Sequence, residues 1–246
     1  MVDPVLKANA SPFRFFGKPF AGSDIYSIND LPFIDLVLIT HDHYDHLCYS
    51  NIRDLRDKCN RFIVPLGVGS HLEYWGVEPG KIMELDWWQT EVVNTGISVT
   101  ATPSRHFSGR MLTRNKTLWC SYVLMIDKLK LYLGGDSGYG MHYKRIGERY
   151  GPFDFAMLEC GQYGIGWPQI HMVPEETAAA AADLQAEVFM PVHWGRFALS
   201  LHPWNESIKR VLAAAKALKL NINIPGIGDC YEIGSLVKQM VWWDFH

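Results

Sequence analysis

The stretch "LVLITHDHYDHL", residues 36–47, places five apolar or β-branched residues directly before three histidines and two aspartates. An unbroken apolar run of this length is typical of a strand that is buried on both faces. Titratable side chains concentrated beside a core are costly unless a partner or a metal ion neutralises them. The stretch therefore predicts a buried strand whose C-terminal end carries a ligand site.

The residue types and their spacing make that site a metal site. The motif H-x-H-x-D-H supplies His41, His43, Asp45 and His46, and imidazole with carboxylate suits Zn²⁺ and related divalent ions. Four such ligands in six residues would crowd one ion, so the spacing favours a pair of metals. A single histidine here would be better explained by a surface loop or a segment that precedes a helix.

Three further candidates follow other apolar runs. They are His106 in "TPSRHFSGR", Asp136 in "LYLGGDSGYG" and His193 in "FMPVHWGRF". Each alone could be a structural histidine or a turn aspartate, and the glycine-rich turn lacks the Lys and Ser/Thr of a phosphate loop. Together they repeat one theme, which is a metal-ligating residue at the C-terminal end of a strand.

The composition predicts one globular domain over residues 1–246. The chain is 48% hydrophobic with a net charge of −3, and no run of Lys or Arg exceeds two, which disfavours nucleic acid as a partner. Five cysteines without CxxC spacing indicate reduced thiols. We find neither an apolar stretch long enough for a spanning helix nor a signal peptide. These observations predict a cytoplasmic protein, with peripheral contact at a membrane left open.

Strand-like and helix-like segments alternate along the chain, which predicts an α/β or α+β fold in layers. The predicted helices cover 46–58, 69–76, 174–185 and 204–220. The predicted strands cover 33–40, 61–66, 81–88, 97–104, 118–127, 130–135, 153–159 and 187–193.

The order of these motifs resembles that of the metallo-β-lactamase-fold hydrolases. The resemblance extends over nearly the whole chain and implies a four-layer αββα sandwich with a dinuclear metal site at one edge. It implies Zn²⁺ as the expected ion, with Fe or Mn as alternatives. By this resemblance the first metal is held by His41, His43 and His106, the second by Asp45, His46 and His193, and Asp136 bridges them.

Within this superfamily, "HDHYDHL", "IHMVPEE" and "HWGRFALSLHPW" are similar to the branch that contains N-acyl-phosphatidylethanolamine-hydrolysing phospholipase D and its bacterial relatives. The implied activity is attack by a metal-bridging hydroxide on a phosphodiester, with a small molecule or a phospholipid as substrate. Two alternatives stay open: a lactonase or carboxyl-ester hydrolase on the same fold, and a non-catalytic metal-binding fragment.

The resemblance also implies individual roles. Asp45 and Asp136 would act in catalysis as well as in metal binding, and Asp3 would fix a ligand histidine from outside the metal site. His171, which precedes a helix, would contact the substrate phosphate or protonate the leaving group; a polar residue that merely flanks the helix is the alternative. Tyr44 and Trp167 would line the substrate site. For Trp87, Trp88 and Trp167 two interpretations stay open, an apolar approach for acyl chains and simple core packing.

One departure from the family pattern lies at the start of the chain. Relatives carry about two strands before the position of "VDPV", so we expect a sandwich that lacks its first one or two N-terminal strands. Either the chain is shortened or another segment covers the exposed edge. A bare sheet edge can pair with another chain, which leaves a homodimer open.

Overall fold

A computed structural model describes residues 1–6, 9–13, 15–234 and 241–244. Its helices are α1 (Tyr49–Leu55), α2 (Gly69–Tyr74), α3 (Met141–Tyr150), α4 (Pro174–Asp183) and α5 (Glu206–Leu218). Its strands are β1 (Ile34–Leu38), β2 (Cys59–Pro65), β3 (Ile82–Leu85), β4 (Thr90–Asn94), β5 (Ile97–Thr102), β6 (Gly109–Arg110), β7 (Thr113–Arg114), β8 (Ser121–Ile126), β9 (Leu129–Leu133), β10 (Phe155–Glu159), β11 (Val188–Val192) and β12 (Asn221–Ile222).

The strands form two main sheets. The smaller is parallel, in the order β1-β2-β3. The larger has the order β12-β11-β10-β9-β8-β5-β4. Its strands are parallel from β12 to β9 and antiparallel from β9 to β4. As a result β5, β9, β10 and β11 all run in one direction, and their C-terminal ends reach the same edge of the sheet.

Alternating side chains along the strands build three layers of core. On β1, Val37 packs against α1 and α2, whereas the next residue, Leu38, faces the other sheet. On β9, Leu133 lies in the core between the sheets and Tyr132 packs under α3, α4 and α5. Helices thus cover the outer face of each sheet, as strand periodicity requires. The predicted four-layer αββα sandwich is confirmed.

The first residues of the chain run parallel to β1. The Leu38 N–H donates to the Met1 carbonyl at 2.9 Å, and the Asp3 N–H donates to the Leu38 carbonyl at 2.9 Å. Val2 forms the corresponding bridge with Leu38. This short pairing covers part of the free edge of β1 and delivers the Asp3 side chain to the strand's C-terminal end.

Five elements were not predicted from the sequence: α3, β4 and the two-residue strands β6, β7 and β12. Helix α3 has a polar sequence interrupted by Gly147, a residue that lowers helix propensity by about 1 kcal/mol relative to alanine. A Cβ at Gly147 would overlap the Asp183 carbonyl oxygen, so glycine is what allows α3 to approach the end of α4. Strand β4 was missed because the predicted strand 81–88 ran past the end of β3 into a turn at Trp88, where φ is +71°.

The described part of the chain contains no helix that is both long and apolar enough to cross a bilayer.

Candidate metal centre

The seven predicted metal ligands meet at one edge of the sandwich. His41, His43, Asp45 and His46 follow β1, and the other three follow β5, β9 and β11. The parallel direction of these strands explains the convergence, because each chain segment leaves its sheet at the same edge. The residues fall into two groups of possible ligands that share Asp136.

The first group consists of three imidazoles and Asp136. His43 Nδ1 lies 2.9 Å from His41 Nε2 and 3.1 Å from His106 Nε2. Asp136 Oδ2 lies 3.9 Å from His41 Nε2 and 3.7 Å from His106 Nε2. Four potential ligand atoms therefore surround one point.

The second group uses both oxygens of Asp136. His193 Nε2 lies 3.2 Å from His46 Nε2 and 3.2 Å from Asp45 Oδ2. Asp136 Oδ2 lies 3.2 Å from His46 Nε2, and its Oδ1 lies 3.4 Å from His193 Nε2. Asp136 thus stands between the groups, where a bridging carboxylate would.

The donor sets fit divalent metal ions. Neutral imidazole nitrogens that face each other at about 3 Å need a proton or a cation between them. Two nitrogens bound at about 2.0–2.1 Å to one tetrahedral Zn²⁺ lie about 3.3 Å apart, which is close to the spacing found here. Asp136 Oδ1 is buried and forms no hydrogen bond within the described residues, as expected of an oxygen kept for a metal.

The candidate ligands differ in the protonation state that their surroundings favour. Burial lowers the pKa of His106 to about 3 and that of His41 well below its usual value. Burial opposes ionisation of Asp136, yet the nearby His193 and His46 imidazoles hold its pKa well below the usual range. Burial thus keeps His41 and His106 neutral beside an ionised Asp136, as metal binding requires. Burial also opposes a charge on His46, but the carboxylates of Asp136, Asp45 and Asp3 raise the pKa of His46 well above its usual value, so His46 would release a proton when it binds a metal.

Groups behind the ligands fix the rings. Asp3 accepts hydrogen bonds from the Thr40 N–H (2.8 Å) and hydroxyl (2.7 Å), and its Oδ2 lies 2.8 Å from His46 Nδ1. His106 Nδ1 lies 3.0 Å from the Ile170 carbonyl oxygen. The turn before Asp136 needs Gly135, whose φ is +59° and whose Cβ would strike Thr40. Asp3 therefore lies where it was predicted, and its role stays a proposal.

The loop that carries the motif is held from its other side by Arg110. Its guanidinium donates to the carbonyls of Asp42 (2.6 Å) and Leu47 (2.8 Å) and stacks 4.0 Å from the Tyr44 ring centroid. Asp42 Oδ1 in turn accepts the Gly109 N–H at 2.6 Å. The roles of Arg110 and Asp42 were not predicted from the sequence. The observed contact of Tyr44 is with Arg110, and its substrate role stays a prediction.

His171 lies beside the metal ligands. Its ring centroid is 5.2 Å from that of His106 and 5.6 Å from that of His193. Its Nδ1 lies 3.2 Å from Oε1 of Glu159. Burial disfavours the imidazolium, but the Glu159 carboxylate raises the pKa of His171 to about 9. Glu159 was missed from sequence, although its place at the end of an apolar strand matches the pattern of the ligands.

Two adjoining cavities open beside the second group. A cavity of about 270 Å³ is lined by Asp45, His193 and Arg196, and a larger one of about 480 Å³ lies next to it. Ser23 and Ile227 line both. The larger cavity is mainly apolar, with walls that include Phe20, Ile25, Trp204 and Trp242.

The tryptophans considered from sequence lie elsewhere. Trp87 and Trp88 pack against hydrophobic cores, so core packing is the correct one of their two interpretations. The indole of Trp167 donates to the Gln162 carbonyl at 2.7 Å within the loop that leads to His171. Its contact with substrate stays a prediction.

A four-layer sandwich with paired His/Asp groups at one edge defines the class of metallo-hydrolases of the metallo-β-lactamase fold. The sequence places the chain in the corresponding family: the profile described as "Beta-lactamase superfamily domain" matches residues 1–194, and the chain belongs to this family.

Two relatives and one solved structure illustrate the likeness. An uncharacterized protein of Mycobacterium tuberculosis is 40% identical over 247 residues, which cover 99% of this chain and 66% of that protein. The mitochondrial N-acyl-phosphatidylethanolamine-hydrolyzing phospholipase D of Saccharomyces cerevisiae is 38% identical over 183 residues, covering 70% of this chain and 39% of that protein. The chain thus spans about two thirds of the mycobacterial relative. An isothiocyanate hydrolase from Delia radicum gut bacteria shares the fold, with a TM-score of 0.70, 18% identity and coverage of 94% and 92% of the two chains.

A half-buried histidine near the site gives a prediction about acid stability. Burial and the Arg105 charge lower the pKa of His142 to about 4 in the folded protein, against about 6.5 when unfolded. The unfolded chain therefore binds the proton more readily, and stability falls as the pH drops from 6.5 to 4. At about 1.4 kcal/mol per pKa unit, the loss is about 2–3 kcal/mol at pH 4.

We expect His142→Gln, which can keep the hydrogen bond to Ser137 Oγ, to remove this contribution. Urea unfolding at pH 7 and at pH 4.5 would measure it. The difference in stability between variant and wild type should shift in the variant's favour at the lower pH. An equal difference at both pH values would contradict the prediction.

Proposed function

We propose that the protein is a dinuclear metal-dependent hydrolase that cleaves a phosphodiester carrying an apolar chain, with phospholipids as the substrate class. One observation carries the proposal: Asp45 and His193 of the His/Asp cluster form, with Arg196, one wall of a smaller cavity that adjoins a larger apolar one. A substrate with a charged head and an apolar arm would place its head in the smaller cavity, beside the cluster, and its arm in the larger cavity. Zn²⁺ is the proposed ion, with Fe or Mn as alternatives.

The chemistry divides between the ions and the side chains. Two bound divalent ions would lower the pKa of a shared water and polarise the scissile group. His41, His43 and His106 would hold one ion, Asp45, His46 and His193 the other, and Asp136 both. Asp45 also lines the smaller cavity, where its carboxylate can orient the attacking water.

Attack at phosphorus forms a new P–O bond and breaks the bond to the alcohol, so that a phosphomonoester and an alcohol leave. The departing alkoxide needs a proton. His171 can supply it from Nε2, because its Nδ1 is engaged by Glu159. The predicted role of His171 at the leaving group is therefore retained in the proposal.

Arg196 supplies positive charge in the smaller cavity. Its guanidinium donates to the carbonyls of Ser23 (2.7 Å) and Leu6, which fix it in place. Its Nε is buried and makes no hydrogen bond to any described residue. A guanidinium on the cavity wall supplies a positive charge that suits a phosphate group. The name of the yeast relative, an N-acyl-phosphatidylethanolamine-hydrolyzing phospholipase D, agrees with such a substrate.

The test uses p-nitrophenyl phosphodiesters whose second ester group is methyl, butyl, octyl or dodecyl, run beside alkyl esters and lactones of matched length. We expect kcat/KM on the phosphodiesters to rise with chain length, by about fourfold per buried CH₂ at the upper limit of about 0.8 kcal/mol. Trp242→Ala, which truncates a wall of the apolar cavity, should flatten that rise and leave the methyl ester nearly unaffected.

Trp88→Ala is the matched control, because Trp88 stacks on Tyr150 and packs in the core. It should leave the dependence on chain length unchanged. Turnover of lactones or carboxyl esters alone would replace the phosphodiester proposal by the ester-hydrolase alternative. A folded protein that binds no divalent metal would overturn both and leave a non-catalytic fragment. A homodimer, contact with a membrane surface and a cytoplasmic location stay predictions.

A further inference from the structure

The ligand histidines need partners for the ring nitrogen that does not face the cluster. A metal-binding imidazole is normally oriented by a hydrogen bond from its other ring nitrogen to a carboxylate or carbonyl. His46 has Asp3, His106 has the Ile170 carbonyl, and His41 Nδ1 lies 3.0 Å from Thr40 Oγ1. His193 differs: its Nδ1 is buried and has no hydrogen-bond partner within the described residues.

An acceptor without a donor lies close by. Glu159 is fully buried, and its Oε1 accepts the Met172 N–H at 2.9 Å and contacts His171 Nδ1 at 3.2 Å. Its Oε2 is buried and also lacks a partner within the described residues. Glu159, His171 and His193 can each offer an atom such that all three lie within 4.8 Å of one another.

The fold explains why these groups meet. Glu159 is the last residue of β10, and parallel pairing places it beside Val192, the last residue of β11. His193 is the next residue along the chain. The His171 ring stacks on the His193 ring with an interplanar angle of 13°, so one carboxylate can reach the same edge of both rings.

We propose that Glu159 is a positioning residue that serves both imidazoles. Its Oε1 holds His171 so that Nε2 faces the cluster, and its Oε2 becomes the acceptor for the Nδ1–H of His193 when Nε2 of His193 binds a metal. A buried carboxylate is costly unless it is hydrogen-bonded, and this arrangement satisfies both oxygens. The inference rests on the proposed metal function, because only a metal on Nε2 fixes the His193 proton at Nδ1.

The test compares metal affinity in Glu159→Gln with that in the wild type. Glutamine keeps an oxygen for the Met172 N–H but presents an amide NH₂, instead of an acceptor, toward His193. Competition with a chelator of known Zn²⁺ affinity would give the dissociation constant for each bound ion. We expect roughly tenfold weaker binding of the ion that His193 helps to hold and an unchanged constant for the other.

Thr177→Val is the matched control. The Thr177 hydroxyl donates to the backbone carbonyl of Glu159 at 2.9 Å, so this variant removes a buried hydrogen bond at the same residue and leaves the carboxylate intact. Both metal affinities should stay within twofold of wild type. If Glu159→Gln also keeps both affinities within twofold, the positioning role is wrong.

A second measurement needs no variant. In zinc-loaded wild-type protein labelled with ¹⁵N-histidine, the Nδ1–H of His193 should appear as a slowly exchanging, strongly downfield proton resonance. A fast-exchanging proton, or an Nδ1 without a proton, would overturn the inference. The proposed function and the role of Glu159 can be tested separately. A wild type that binds fewer than two ions contradicts the dinuclear function. Two bound ions with the wrong signal at His193 contradict only the role of Glu159.

Discussion

Replacing Asp136 by asparagine is expected to lower kcat/KM on a phosphodiester by roughly 10³-fold and to release at least one of the two bound ions. Asp136 is the residue shared by both ligand groups, with Oδ2 3.2 Å from His46 Nε2 and Oδ1 3.4 Å from His193 Nε2. The amide keeps the shape but loses the charge and one ligand oxygen. Metal assistance worth several kcal/mol corresponds to about that factor in rate.

Metal content per chain and steady-state kinetics on the same preparation would measure the effect. Asp154→Asn is the matched control, because Asp154 caps the Lys130 N–H at 2.6 Å in a turn and belongs to neither ligand group. It should retain both metals and full activity. An Asp136→Asn protein with two ions and more than a tenth of wild-type activity would show that Asp136 does not bridge them.

The layered fold and the local ligands were predictable because their signals are short-range. The apolar run 36–40 and the H-x-H-x-D-H motif lie in one strand and the loop that follows it. Period-two burial then decides which side each residue faces, and Leu38 and Val37 follow that rule. His106, Asp136 and His193 were individually ambiguous. They were predicted as ligands of one site because the order of the motifs resembles that of a known family.

The remaining features depend on contacts between residues far apart in the chain. Arg110 holds the carbonyl of Asp42, which lies 68 residues away, and no local pattern marks either residue. The wall of the apolar cavity combines residues near position 20 with Trp204 and Trp242. Only the path of the folded chain brings them together, so the sequence analysis selected other tryptophans.

Helix α3 illustrates a local signal that was overridden by packing. Gly147 and the many polar residues of this segment argue against a helix by propensity. The close approach of this position to the Asp183 carbonyl leaves no room for a Cβ, so glycine is favoured there. Tertiary contacts of this kind cannot be seen from one sequence. The lower helix propensity is a local property, whereas the favourable packing depends on the end of α4, which is distant along the chain.

Asp3→Asn is expected to weaken binding of the second ion by about 10–100-fold, the range found for groups that orient a ligand histidine. The Asp3 carboxylate accepts from the N–H and hydroxyl of Thr40 and contacts His46 Nδ1 at 2.8 Å. Asparagine keeps one acceptor oxygen, but its NH₂ replaces Oδ2 and cannot accept from the Thr40 hydroxyl or from His46 Nδ1. Asp3 has a φ of +41°, which asparagine tolerates better than alanine. The variant therefore removes the acceptor oxygen without disturbing the backbone conformation.

Chelator competition would measure the effect, together with the unfolding midpoint of the metal-free protein. Asp35→Asn is the control, because Asp35 is an exposed aspartate on β1 and should leave metal affinity unchanged. Binding of the ion held by His41, His43 and His106 should change little in Asp3→Asn, since Asp3 contacts only a ligand of the other group. Equal weakening at both ions would instead indicate that Asp3 acts by holding the whole loop through Thr40, and wild-type affinity at both would show that His46 needs no carboxylate behind it.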